Sequence, residues 1–87
     1  MTYDFRVQRP AIKALGRLPR PLRERIWLRI EGLADNPRPR GCKLLTGALE
    51  GHYRIRVGGY RVVYTVDDEQ RRVWVVRVGP RGSVYRG

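Results

Sequence analysis

Eighty-seven residues, 41% of them hydrophobic, are enough for one globular domain spanning residues 1–87 and argue against both a two-domain protein and a disordered tail. Nineteen Lys and Arg against eight Asp and Glu give a net charge of +11, a balance that attracts polyanions and suits an acidic protein partner, though a genome biased toward arginine would also produce it. The N-terminal residues lack the apolar run of a signal peptide, no stretch approaches the roughly 20 apolar residues of a bilayer span, and Cys42 is alone; the expectation is a cytoplasmic protein with no disulfide framework and no cysteine zinc site.

Residues 3–8 alternate apolar and polar and predict a half-buried strand. Pro10 fits the first turn of a helix, and Ala11, Leu15 and Leu18 follow at helical spacing. Pro19 and Pro21 end that helix and open a second, in which Leu22, Ile26, Ile30 and Leu33 form one stripe and Arg23, Arg25, Arg29 and Glu31 lie elsewhere on its surface. Asn36-Pro37 stops it. Residues 35–50, with Pro37, Pro39, Gly41 and Gly47, read as a loop whose Leu44, Leu45 and Leu49 pin it to the core. Residues 53–57, 60–66 and 73–78 are rich in Val, Ile, Tyr and Trp and predict strands. Gly58-Gly59 joins the first two, and the polar run Asp67-Asp68-Glu69-Gln70 the next two. Adjacent carboxylates in such a turn are expected to be solvated rather than to hold a metal. The order β-α-α-β-β-β implies an α+β fold, a helical hairpin packed on one face of a mainly antiparallel, twisted sheet.

A two-residue loop fixes the register on either side of it. Val57 then pairs with Tyr60, Arg56 with Arg61, Ile55 with Val62, Arg54 with Val63 and Tyr53 with Tyr64. Because side chains alternate faces, Tyr53, Ile55, Val57, Tyr60, Val62 and Tyr64 point to the core, and Arg54, Arg56 and Arg61 point away from it. Like charges directly opposite destabilise a sheet, so the pairing of Arg56 with Arg61 gains nothing unless an anion spends time between them. Guanidinium forks match phosphate oxygens, which makes a nucleic-acid backbone the natural anion; a solvated face with splayed arginines is the alternative. Arg77 alternates with Trp74, Val76 and Val78, which also turns it away from the helices. Arg81 and Tyr85 follow after Gly79-Pro80, and a tyrosine among arginines can stack on an exposed base.

These residues resemble the RelE/ParE toxin superfamily. The likeness is strongest at residues 53–64, Tyr-Arg-Ile-Arg-Val-Gly-Gly-Tyr-Arg-Val-Val-Tyr. It continues through Asp67-Asp68-Glu69 and residues 75–86, Val-Val-Arg-Val-Gly-Pro-Arg-Gly-Ser-Val-Tyr-Arg, and includes the Lys43-Leu44-Leu45 segment before the hairpin. It covers essentially the whole chain. The resemblance implies a RelE-type toxin of a type II toxin–antitoxin pair, held in a hetero-oligomer by an acidic RelB-like antitoxin and acting on mRNA in the ribosomal A site. There the ribose 2′-oxygen attacks the adjacent phosphate, leaving a 2′,3′-cyclic phosphate and a 5′-hydroxyl. It assigns catalysis to Arg54, Arg56, Arg61, Arg81 and Tyr85, and RNA binding to Lys43, Arg77 and Arg86, with no cofactor or metal.

Chemistry gives those positions roles. Arg56 and Arg61 would stabilise charge building on the scissile phosphate, Arg81 would sit by the leaving 5′-oxygen, and Tyr85 would orient or stack on a base. Some family members carry lysines at positions 54 and 56; arginine does not lose its proton usefully in proteins, so Arg54 would position the 2′-hydroxyl or lower its pKa rather than act as a base. Pro80 stands where many relatives have a histidine or another polar or basic residue. The sole histidine, His52, would share the face of Arg54 if the strand began that early, but a solvated strand-entry residue is the simpler expectation. The competing branch is the ParE-like one, which inhibits DNA gyrase without a nuclease site; a non-catalytic nucleic-acid-binding module is the third reading.

Overall fold

In the computed structural model, which describes residues 2–80, the N-terminal alternation forms β1 (Asp4–Val7). Two helices follow, α1 (Arg9–Gly16) and α2 (Arg20–Asp35), each with its proline in the first turn, where a missing N–H costs no helical hydrogen bond. Ala11 and Leu15 of α1 and Ile26, Ile30 and Leu33 of α2 are buried, and Leu22 is partly so. The stripe predicted for the second helix is therefore its core face.

The loop expected at 35–50 is more structured than that. It contains a two-residue strand, β2 (Lys43–Leu44), and a 3-10 turn at Gly47–Leu49. Then come β3 (Tyr53–Val57), β4 (Tyr60–Asp67) and β5 (Arg72–Pro80). The five strands lie in the order β1-β5-β4-β3-β2. Every pairing is antiparallel except β1 with β5, which is parallel. The chain reaches that parallel neighbour only after both helices and the hairpin, which is how a helical pair comes to cover one face of the sheet.

The register of β3 with β4 is the one the two-residue loop dictates, with Arg56 opposite Arg61 and Tyr53 opposite Tyr64. Gly58 has φ of 60°, as the first central residue of a type II′ turn requires, and that turn matches the twist of the flanking strands. Ile55, Val57, Val62 and Tyr64 are buried with the helices, and Tyr53 and Tyr60 pack at the margin of the same core.

The structure departs from two further expectations. Strict alternation put Trp74, Val76 and Val78 together, yet Val73, Val75 and Val78 form the buried face of β5. A bulge lies between: Val63 pairs with Arg77 but Tyr64 pairs with Val75. The extra residue, Val76, reverses the phase of the strand. Trp74, opposite Thr65, is thereby off the core face, and Arg77 is on the arginine face only because of the bulge. Secondly, Leu44, Leu45 and Leu49 do not pin the loop to the core. None joins the buried cluster, and Leu44 is 55% exposed.

Candidate functional site

The sheet face opposite the helices gathers cations by register. Lys43 pairs with Arg54, Arg54 with Val63 and Val63 with Arg77, so one row across four strands carries three positive side chains. In the next row Arg56 faces Arg61, and Arg61 faces Gly79, whose strand adds no side chain beside it. Above these rows opens a cleft of about 390 Å³, lined by Arg54, Arg56 and Arg61 and by the 43–49 segment through Lys43, Leu44, Leu45, Thr46, Ala48 and Leu49. Its charged lining residues are all cationic.

The three arginines differ in setting. Arg54 and Arg61 are 8% and 6% exposed, whereas Arg56 is open to solvent. Arg54 Nη1 donates to the Gly41 carbonyl at 3.3 Å, which ties the floor of the cleft to the loop that walls it. From the helical side, Arg29 Nη1 donates to the Arg56 carbonyl at 3.3 Å. In the sequence Arg29 is one more surface arginine of a helix, and no local signal shows its reach to the hairpin.

The wall is held at both ends. The Leu45 amide donates to the His52 carbonyl at 2.8 Å and the His52 amide to the Leu49 carbonyl at 3.0 Å, closing the 3-10 turn onto the start of β3. At the other end, Arg38 grips Asp68 with two nitrogens, at 2.8 and 3.2 Å, and donates through Nε to the Tyr53 hydroxyl at 3.0 Å. Tyr3 adds a 2.6 Å hydrogen bond to Asp68. The hydrogen bonds from Arg38 and Tyr3 hold the Asp68 carboxyl down to about 2. Tyr64, stacked on Tyr53 at 5.8 Å, donates its hydroxyl to the Pro37 carbonyl at 2.7 Å, and burial pushes that hydroxyl's pKa up. Asp68 is thus a structural tie, not a merely solvated turn carboxylate; Asp67 caps its own turn by accepting the Gln70 amide at 3.0 Å.

Of the positions singled out in the sequence, Lys43, Arg54, Arg56 and Arg61 meet in the cleft, and Arg77 shares its face without lining it. His52 does not line it, and its Nδ1 is buried without a hydrogen-bond partner among the described residues. Arg81, Tyr85 and Arg86 lie outside the described residues.

Residues 5–85 match the family model described as ParE toxin of type II toxin-antitoxin system, parDE. The chain belongs to the RelE/ParE toxin superfamily. Within the superfamily it is of the RelE type. It is 35% identical over 85 residues to Toxin RelE of Mycobacterium tuberculosis, covering 97% of this chain and 87% of that protein. Its fold superposes on the toxin–antitoxin complex RelBE2 of the same organism with a TM-score of 0.84, at 32% identity and 93% coverage of each chain. The archaeal RelE–RelB complex from Pyrococcus horikoshii gives 0.81, at 32% identity, covering 94% of this chain and 98% of that one. No helix among the described residues of this RelE-type toxin is long and apolar enough to cross a membrane.

Proposed function

We propose that this toxin is a ribosome-dependent endoribonuclease whose cleft holds an mRNA phosphodiester. The observation that carries the reading is the convergence of Lys43, Arg54, Arg56 and Arg61 on one cleft. In the reaction a bond forms between the 2′-oxygen and phosphorus and the bond from phosphorus to the 5′-oxygen breaks. The 2′-hydroxyl gives up a proton and the leaving oxygen gains one. Negative charge accumulates on the phosphoryl oxygens, where the forks of Arg56 and Arg61 would stabilise it without reorganisation. Arg54, oriented by the Gly41 carbonyl, would favour the 2′-alkoxide electrostatically. Arg81 and Tyr85 are proposed at the leaving oxygen and on a base, and Arg77 and Arg86 along the RNA backbone. None of the arginines serves as a base.

A RelB-like acidic antitoxin, of the kind named in the solved complexes of relatives, would neutralise the cationic face and keep the toxin off the ribosome. The test is cleavage in a translating extract. Expected are 5′-hydroxyl ends within A-site codons that vanish in Arg61→Ala and Arg81→Ala. The family model carries the ParE name, which favours a second reading as a gyrase inhibitor; intact mRNA together with blocked supercoiling would establish that one instead.

A further inference from the structure

The cleft has two chemistries. Its floor is cationic, but Leu45, Ala48 and Leu49 contribute an aliphatic side. These leucines are only partly covered and stand outside the buried cluster, which closes against the helices without them. Leu45 follows β2 directly, and Lys43 of that strand pairs with Arg54 on the cleft floor. The main-chain bonds of Leu45 and Leu49 to His52 fix this surface in place before any ligand arrives.

We propose that this aliphatic wall is a nucleobase subsite, so that the cleft takes a ribonucleotide with its phosphate on Arg54, Arg56 and Arg61 and its base against Leu45, Ala48 and Leu49. The proposal rests on the reading of the cleft as an RNA phosphate site and adds to it where the base goes. A nucleotide carries a flat, largely apolar base one ribose away from a phosphate dianion. A cleft that grips anions on one side and offers aliphatic surface on the other matches both ends. Its volume of about 390 Å³ is of small-ligand size. Among the side chains of the 43–49 wall, Lys43 and Thr46 carry hydrogen-bonding groups and the rest are aliphatic. Selection there works chiefly through apolar area, and a purine, the larger surface, is held better than a pyrimidine.

The experiment is an NMR titration of the full chain, resolving leucine methyl and arginine guanidinium signals, with adenosine 3′-monophosphate, cytidine 3′-monophosphate and inorganic phosphate. The two nucleotides should move the Leu45 and Leu49 methyl signals, with adenosine bound about threefold more tightly than cytidine. Inorganic phosphate should move arginine signals only. Leu45→Ala and Leu49→Ala should each weaken adenosine 3′-monophosphate about fivefold and leave phosphate affinity within about twofold, while Leu45→Met keeps the wall and the binding. Equal affinity for nucleotides and phosphate, or leucine methyls that stay still, would overturn the proposal. So would an acidic, leucine-containing peptide that moves those methyls when nucleotides do not, since the wall would then belong to a protein partner. The underlying reading fails separately. If wild type leaves mRNA intact on ribosomes while the titration behaves as expected, the nuclease reading falls and the subsite stands. If Arg61→Ala abolishes cleavage but the leucine variants bind nucleotides normally, only the subsite falls.

Discussion

Arg54 and Arg61 are almost covered by protein, so their guanidiniums act where water screens charge weakly. A buried fork aimed at a phosphate should matter more than an exposed one. Replacing Arg61 with Ala is expected to lower mRNA cleavage about 10²–10³-fold. Arg61→Lys should recover only part, since an ammonium supplies the charge without the bidentate geometry. Single-turnover cleavage by folded variants, verified by circular dichroism, measures this; equal activity of the Lys and Ala variants would detach the fork from catalysis. A second expectation concerns protons. With arginine at positions 54, 56 and 61, the cleft offers no side chain there that gives and takes a proton near neutrality. The logarithm of the cleavage rate should therefore rise with pH between about 6 and 8 with no break assignable to a side chain. A break that disappears in His52→Gln would restore a role for the histidine that lies outside the cleft lining.

Elements, rather than residues, decide where these arginines stand, and the hairpin was readable because a two-residue loop permits one register. Gly58 enforces it: a Cβ there would find only ordinary contacts at 4.0 Å, so the penalty for Gly58→Ala is backbone strain at φ of 60° and should be about 1–3 kcal/mol, measured by urea unfolding. The bulge at Val76 was not readable, because Val73, Val75, Val76 and Val78 are the same residue type on both sides of the phase change. Nor was the tie of Arg38 to Asp68, whose partners are 30 residues apart. That tie anchors the 36–42 segment and, through Gly41, the guanidinium of Arg54. Loosening it with Asp68→Asn should speed hydrogen exchange at the Leu45 amide and weaken cleavage. The pH dependence has a definite sign. A carboxyl held down to about 2 when folded, against an ordinary value of 3.8, contributes stability above pH 3.8 that is lost as pH falls toward 2. The difference in urea midpoint between wild type and Asp68→Asn should be constant from neutrality to about pH 5 and shrink toward zero near pH 2. A difference that persists at pH 2 would mean the aspartate's charge is not what holds the loop.

Over the whole molecule, composition set the size of the positive charge and the hairpin set part of its location, but apolar residues outside the core were misread for a general reason. Hydrophobicity marks a side chain as preferring cover without saying whether helix, sheet or ligand provides it, and Leu45 and Leu49 line a cleft instead of a core. Charge raises the same question of count against placement. Besides the cleft, exposed Arg9, Lys13 and Arg17 recur every four residues along α1 and its C-terminal cap, on an element packed against the opposite face of the sheet. If net charge alone drew the toxin to RNA, removing three cations from either face would have the same effect. If the cleft is the working surface, the two removals part. For single-stranded RNA the slope of log affinity against log salt concentration changes by about 0.7 for each phosphate the protein ceases to neutralise. Arg54, Arg56 and Arg61 replaced together by alanine should lower that slope by about 2 and abolish cleavage. Arg9, Lys13 and Arg17 replaced together should slow association through the weaker overall field but leave the slope within about 0.5 of wild type and cleavage once bound unchanged. Fluorescence anisotropy on a short mRNA fragment between about 50 and 200 mM salt gives the slopes, and cleavage under saturating conditions completes the comparison. Equal slopes in the two triple variants would reduce the arginine face to a share of the total charge.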